Sequence, residues 1–276
     1  MIDQLKARTQ YWDAAATKYD QDFTSTLIGQ TRRHSVWRDL ERAFCPGQRV
    51  LELNCGTGID AIHLAARGIQ VLACDISPHM IQIARQGAVE SSLQARIDFR
   101  VLPTEELQSL QSHAPFDGAF SNFSGLNCVE DLPAVARNLA RLLKPGAPFL
   151  TCVIGRFVPW EIAWFLAHGK PAKAFTRVLD NGRVFDAGDL KIQRPSVREM
   201  VRIFAPDFEL RGWRGVGIAV PPSYMEGWAR RFPKIVQLLA GVDNWIDHVP
   251  LFRNLGDCVL LQFSRRETNA SSSKAW

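Results

Sequence analysis

Val50-Leu51-Glu52-Leu53-Asn54-Cys55-Gly56-Thr57-Gly58 runs from a strand-like segment into a glycine turn. Residues 49–53 read as a strand, and 57–66 as a helix with Gly68 just past its end. Glycines at such a junction let the backbone pass close under a ligand. The same alternation continues outward. Residues 70–74 form the next strand-like run, and Ser77 can cap a helix with Pro78 at its first position. Residues 97–102, 116–121 and 149–154 are three further strand-like runs. Leu132, Val135, Leu139 and Leu142 are spaced as one helix face, which Lys144-Pro145-Gly146 ends. Strands alternating with helices imply parallel pairing, because a parallel crossover needs a covering helix. The expected fold class is therefore α/β with a doubly wound sheet, binding its ligand at the carboxyl ends of the strands.

Two acids narrow the ligand. Glu52 lies at the strand end, before the glycines. An acid there suits a cationic ligand end such as an amino-acid ammonium, whereas a pyrophosphate would be repelled. Asp75 ends the next strand, 17 residues after Gly58, where an acid can accept bonds from both hydroxyls of an unphosphorylated ribose. A nucleoside with an amino-acid tail and no phosphate is S-adenosylmethionine. A nicotinamide-dependent dehydrogenase also carries a glycine turn, but Glu52 and the missing third glycine oppose it.

With these features the sequence resembles the class I S-adenosylmethionine-dependent methyltransferases, in particular the small-molecule group related to the ubiquinone-type enzymes. Residues 51–58 resemble their glycine motif, and Cys74-Asp75-Ile76-Ser77-Pro78-His79-Met80 their second motif. Residues 116–122 resemble the fourth-strand motif, and 142–146 the turn before the fifth strand. Tyr19-Asp20, after an aromatic and Ala-rich helix, resembles the N-terminal cover. The resemblance implies a Rossmann-like, seven-stranded, mostly parallel sheet whose last strand, 258–263, inserts antiparallel. It also implies cofactor contacts from Tyr19, Glu52, Asn54, Cys55, Gly56, Gly58, Asp75, Ile76, Met80 and Asn122. Asn54 replaces the first glycine of the family turn, and Asn tolerates left-handed backbone. After the third strand the family often places an Asp on the adenine amino group. Here Leu102-Pro103-Thr104-Glu105 stands in that position, with Thr104 or Glu105 as the substitutes.

The rest of the chain divides around that core. Residues 1–47 are expected as a helical cover, 48–154 as the cofactor-binding core and 155–195 as a lid insertion. Residues 196–266 complete the core around a helical insertion at 221–257, and 267–276 form a disordered tail. Within the lid, 159–168 and 170–179 look helical, Asn181-Gly182 signals a hairpin turn, and 183–185 and 190–192 look like short strands. Ser196-Val197-Arg198-Glu199 is a capping box. The 156–195 segment carries Phe157, Trp160, Trp164, Phe165, Phe175 and Phe185. These aromatics either pack on one another or line an apolar acceptor cavity. Phe157 and Trp160 come first after the strand and are expected nearest the cofactor. Phe123 and Asn127 follow the fourth strand, where loop capping and acceptor contact are both open readings.

Composition sets limits. The chain has 276 residues, 46% hydrophobic and 22% charged, which excludes a disordered, collagenous or disulfide-stapled protein. No apolar run approaches the roughly 18 residues of a membrane span. The first residues show no basic patch before an apolar core, so a cytoplasmic protein without stable membrane insertion is expected. Net charge is +5 with arginines spread along the chain, which does not suggest a nucleic-acid binder. Six scattered cysteines show no zinc spacing, so no metal is expected. The leading expectation is a methyltransferase for a small, apolar or aromatic acceptor at oxygen, nitrogen or carbon. No catalytic residue is nominated, because a general base is needed only for a hydroxyl or protonated amine. A cofactor-binding protein without turnover is the alternative. The sequence does not speak to oligomeric state.

Overall fold

Two helices, α1 (Ile2–Tyr19) and α2 (Leu27–Ala43), precede the first strand. The structure is a computed structural model that describes residues 2–179, 185–187 and 190–267. The alternating core follows as β1 (Arg49–Leu53), α3 (Ile59–Ala66), β2 (Gln70–Asp75), α4 (Pro78–Glu90) and β3 (Ile97–Val101). It continues through β4 (Gly118–Ser121), α5 (Leu132–Leu142) and β5 (Pro148–Ile154). The next segment holds α6 (Pro159–Ala167), α7 (Pro171–Ala174), α8 (Thr176–Leu179) and the antiparallel pair β6 (Phe185–Ala187) and β7 (Leu190–Ile192). The chain then forms α9 (Val197–Phe204), β8 (Phe208–Val216), α10 (Glu226–Arg231), α11 (Pro233–Ile246) and β9 (Cys258–Arg265).

Seven strands form one sheet in the order β3-β2-β1-β4-β5-β9-β8. The first five pair in parallel, and β9 runs antiparallel between β5 and β8. This is the Rossmann-like α/β sheet expected from the sequence. Its apolar residues alternate between two layers, as the two-residue period of a strand requires. Leu51, Leu53, Leu72 and Phe149 pack beneath α5 and α9, while Val50, Val71, Ala73 and Phe120 pack beneath α2, α3 and α4. Ser77 caps α4 by accepting the Met80 N–H, and Ser196 with Glu199 forms the expected capping box on α9.

Because β8 is antiparallel to β9, and β9 to β5, β8 runs with the parallel strands. The connections after β5 and after β8 therefore both leave from the carboxyl edge of the sheet. The sequence reading places the lid in the first of these alone. The two connections pack together. Trp160 and Trp164 of α6 pack against a cluster of Val220, Met225, Ala229 and Val236 of the second segment together with Ile28 of α2.

Some boundaries shift. The helix expected over 57–66 begins at Ile59, because Gly58 is its left-handed N-cap at φ 75°. The single helix expected over 170–179 is split into α7 and α8. The Asn181-Gly182 turn, residues 183–184 and all of the tail after Glu267 lie outside the described residues. Among the described residues no helix is long and apolar enough to cross a membrane. Five of the six cysteines are buried and Cys45 is exposed, all as free thiols.

Candidate active site

The turn between β1 and α3 takes three left-handed residues, Asn54 at φ 56°, Gly56 at φ 54° and Gly58 at φ 75°. Asn54 holds its conformation with its side chain, donating from Nδ2 to Thr104 Oγ1 at 2.9 Å and accepting from Ser121 Oγ at 3.2 Å. A Cβ at Gly58 would meet Ala84 Cβ at 2.7 Å and the Phe99 ring at 2.8 Å. Gly58 thus lets α3 close onto α4 and β3, and it does not line the cleft above the turn. Tyr19, Glu52, Asn54, Cys55, Gly56, Asp75, Ile76, Met80, Asn122 and Phe123 do line that cleft.

Asp75 and Glu52 occupy its floor. Asp75 is 7% exposed, with Oδ1 accepting the Ser77 N–H and Oδ2 the Gly56 N–H, each at 2.9 Å. Burial raises its carboxyl pKa, against the pull of those two N–H groups. Glu52 is 1% exposed, and its Oε2 has no hydrogen-bond partner among the described residues. Burial pushes the Glu52 carboxyl well above the usual range; Asp60 adds to the shift and Arg33 opposes it. Burial also raises the Cys55 thiol, and it raises Cys128 to about 11, so both stay protonated at neutral pH. The packing around Tyr19 moves its phenol to about 12.

One cluster has no sequence motif. Asp60, from the first turn of α3, accepts Arg33 Nη1 at 2.6 Å and Trp37 Nε1 at 2.7 Å on Oδ1. Its Oδ2 accepts Asn122 Nδ2 at 2.9 Å. Asn122 is thereby aimed along the cleft wall with its own Oδ1 unpaired among the described residues. Arg33 lies over the Phe123 ring, 4.8 Å from its centroid, so α2, α3 and the end of β4 are tied together beside Glu52. Arg8 and Trp12 of α1 also line the cleft. The helix α1 is held there by Asp13, which accepts from Ser77 Oγ at 2.5 Å and from the His79 N–H at 3.1 Å.

Five further expected site residues point elsewhere. Thr104 is spent on Asn54, and Glu105 pairs with Arg8, so neither lines the cleft. Asn127 is fully buried with both ends of its amide used by backbone: Nδ2 donates to Gln193 O at 2.7 Å, and Oδ1 accepts the Ile154 N–H at 3.1 Å. It staples the first insertion to the core. Trp160 sits in the apolar cluster between the insertions and donates from Nε1 to Ala219 O at 2.6 Å. Phe157, also expected over the cofactor, is 42% exposed and lines neither the cleft nor the chamber beside it.

That second chamber, of about 700 Å³, shares Ser124, Ile154 and Ile192 with the cleft. Phe165, Tyr224 and Cys258 add apolar surface, and Lys173 and Arg194 add charge. One wall is an ion network. Arg177 pairs with Glu161 at 2.8 Å and Asp257 at 2.9 Å, and Asp257 also meets Arg32. Among the described residues no group of three His, Cys, Asp or Glu side chains could hold a metal ion.

Residues 50–146 match the model of a methyltransferase domain family. The chain is 35% identical over 118 residues to a ubiquinone biosynthesis O-methyltransferase of Xanthomonas campestris pv. campestris, covering 42% of this chain and 46% of that protein. The chain thus spans about half the length of the curated relatives it matches. Among solved structures it is similar to geranyl diphosphate C-methyltransferase from Streptomyces coelicolor A3(2), at TM-score 0.55 and 17% identity, covering 86% of this chain and 79% of that one. It is similar also to the cyclase SpnF, at TM-score 0.52 and 18% identity over 82% of this chain and 77% of that one. These two likenesses show the fold alone, which hosts more than one reaction.

Proposed function

We propose that this chain, whose residues 50–146 match the model of a methyltransferase domain family, is an S-adenosylmethionine-dependent methyltransferase acting on a small acceptor with an apolar or aromatic body. The observation that carries the reading is Glu52, buried at the cleft floor with Oε2 unpaired. A buried carboxylate oxygen without a partner is costly. A ligand ammonium would supply that partner, and Asn122 Oδ1 would accept a second N–H hydrogen bond from it. Asp75 would take the ribose hydroxyls on the lone pairs that Gly56 and Ser77 leave free. Ile76 and Met80 would flank the adenine, with Tyr19 closing the cleft from α1.

The sulfonium of the bound cofactor supplies an activated methyl with a good leaving group. The work left to the chain is to hold an acceptor atom about 3 Å from that methyl and in line with its bond. Ser124, Ile154 and Ile192 stand where cleft and chamber meet, so the acceptor atom would pass between them. Phe165 and Tyr224 would hold its apolar body and exclude water. Cys55 and Cys128, protonated and buried, would not compete as nucleophiles.

The test is an incubation with S-adenosylmethionine and a panel of apolar phenols, alcohols and amines. The curated relatives are named as O-methyltransferases, so hydroxyl acceptors come first. Acceptor-dependent release of S-adenosylhomocysteine with a methylated product supports the reading. Cofactor binding without product from any acceptor class would favour a binding protein without turnover.

A further inference from the structure

The helix α11 is apolar on two sides. Its inner side, Val236, Leu239 and Ala240, packs with Ile28, Met225 and Ala229. Its outer side carries Ile235, Leu238, Val242 and Trp245, which are 42%, 69%, 38% and 79% exposed. Helix residues three, four and seven apart share a face, so these four form one stripe. Leu251, 74% exposed, stands a few residues beyond the end of the helix. A helix that is apolar all round is normally buried. One whose outer stripe stays exposed marks an interaction surface.

Charge narrows the partner. All four carboxylates of residues 226–257 are engaged with the body of the protein. Glu226 accepts the Leu27 and Ile28 N–H groups and pairs with Arg230. Asp243 accepts from Ala219 and Val220, Asp247 pairs with Arg214, and Asp257 with Arg32 and Arg177. Arg230, Arg231 and Lys234 are exposed at the N-terminal end of the stripe. Lys234 lies one turn before Leu238 on the same face. A second copy seated on this stripe would offer no outward carboxylate of the segment to meet these cations. An anionic lipid surface satisfies both features: the apolar side chains enter the acyl boundary while Lys and Arg lie among the headgroups. At 14 residues α11 is too short to span a bilayer and would lie in its plane.

We propose that α11 is a peripheral docking helix that seats the protein on anionic membranes through Leu238, Val242, Trp245 and their neighbours. Docking of this kind requires nothing of the methyl-transfer reading.

Flotation with phosphatidylcholine vesicles, with and without about 30% phosphatidylglycerol, tests it. The parent protein should float with the anionic vesicles and much less with the neutral ones. Leu238→Asp with Trp245→Asp should cut partitioning at least tenfold. Arg231→Glu with Lys234→Glu should cut it severalfold on anionic vesicles. Both double variants should keep the parental Tm, since all four side chains are exposed. Absence of flotation, or equal flotation of the Asp variant, would overturn the proposal. So would sedimentation showing a dimer that the Asp variant dissolves while the parent ignores vesicles, which would make the stripe a contact between copies.

Discussion

Asp75 Oδ2 accepts the Gly56 N–H at 2.9 Å, so the acid that ends β2 also braces the turn that follows β1. Ribose recognition and turn geometry therefore share one side chain. Asp75→Ala should lower S-adenosylhomocysteine affinity at least tenfold. It should also cost about 1–3 kcal/mol of stability, because buried N–H groups at Gly56 and Ser77 lose their acceptor. Calorimetry and urea denaturation read the two effects separately. A variant of unchanged stability would mean that the turn does not depend on this acid.

Glu52 makes a pH signature. Its carboxyl is raised above the ordinary 4.5 in the folded protein, chiefly by burial. A raised folded-state pKa gives a contribution that is full below the unfolded value and lost as pH rises through the folded one. Glu52→Gln should escape that loss. The variant should gain stability relative to the parent above about pH 4.5, by roughly 1.4 kcal/mol per pH unit up to the folded pKa. It should also bind S-adenosylhomocysteine at least tenfold more weakly, since the amide no longer offers a charged acceptor. Melting curves taken across the pH range check the first effect. Parallel curves for parent and variant would contradict it.

Trp160→Ala should act on stability and leave cofactor affinity alone. Its indole fills the cluster between the two insertions and holds Ala219 O. Because it is only partly buried, a loss of about 2 kcal/mol is expected, below the value for a fully buried indole. A tenfold loss of cofactor affinity at unchanged stability would return Trp160 to the cleft wall.

Arg177→Met should uncouple α8 from the core. The change strands Glu161 and leaves Asp257 with Arg32 alone. Removing one partner from a largely buried ion network should cost about 3 kcal/mol. The double variant Arg177→Met/Glu161→Gln should recover part of that loss, because no carboxylate is then stranded at 161. Denaturation midpoints of the two variants decide it, and purely additive losses would argue against coupling.

The cofactor half of this site is legible in sequence because it is local. The turn at residues 54–58, with Glu52 before it and Asp75 at the next strand end, lies within 24 residues of chain. Even the left-handed Asn54 is readable, from the tolerance of Asn for positive φ. The Asp60–Arg33–Asn122 cluster is not, since tertiary packing assembles it from α2, α3 and the end of β4. Asn127 misleads for a related reason: a polar side chain in a loop reads as available until the backbone it serves, at Ile154 and Gln193, is seen. Trp160 and Phe157 mislead because closeness to a strand end says nothing about the direction of α6. The second insertion is likewise hidden until the register of β8 against β9 gives its direction.

The most direct measurement of the central claim is a calorimetric titration of the purified protein with S-adenosylhomocysteine, repeated in the presence of NADH. One-to-one binding near the micromolar range, about −8 kcal/mol, is expected, with no competition from NADH. Tight NADH binding with no heat from S-adenosylhomocysteine would contradict the assignment of Glu52 and Asp75 and the function drawn from them.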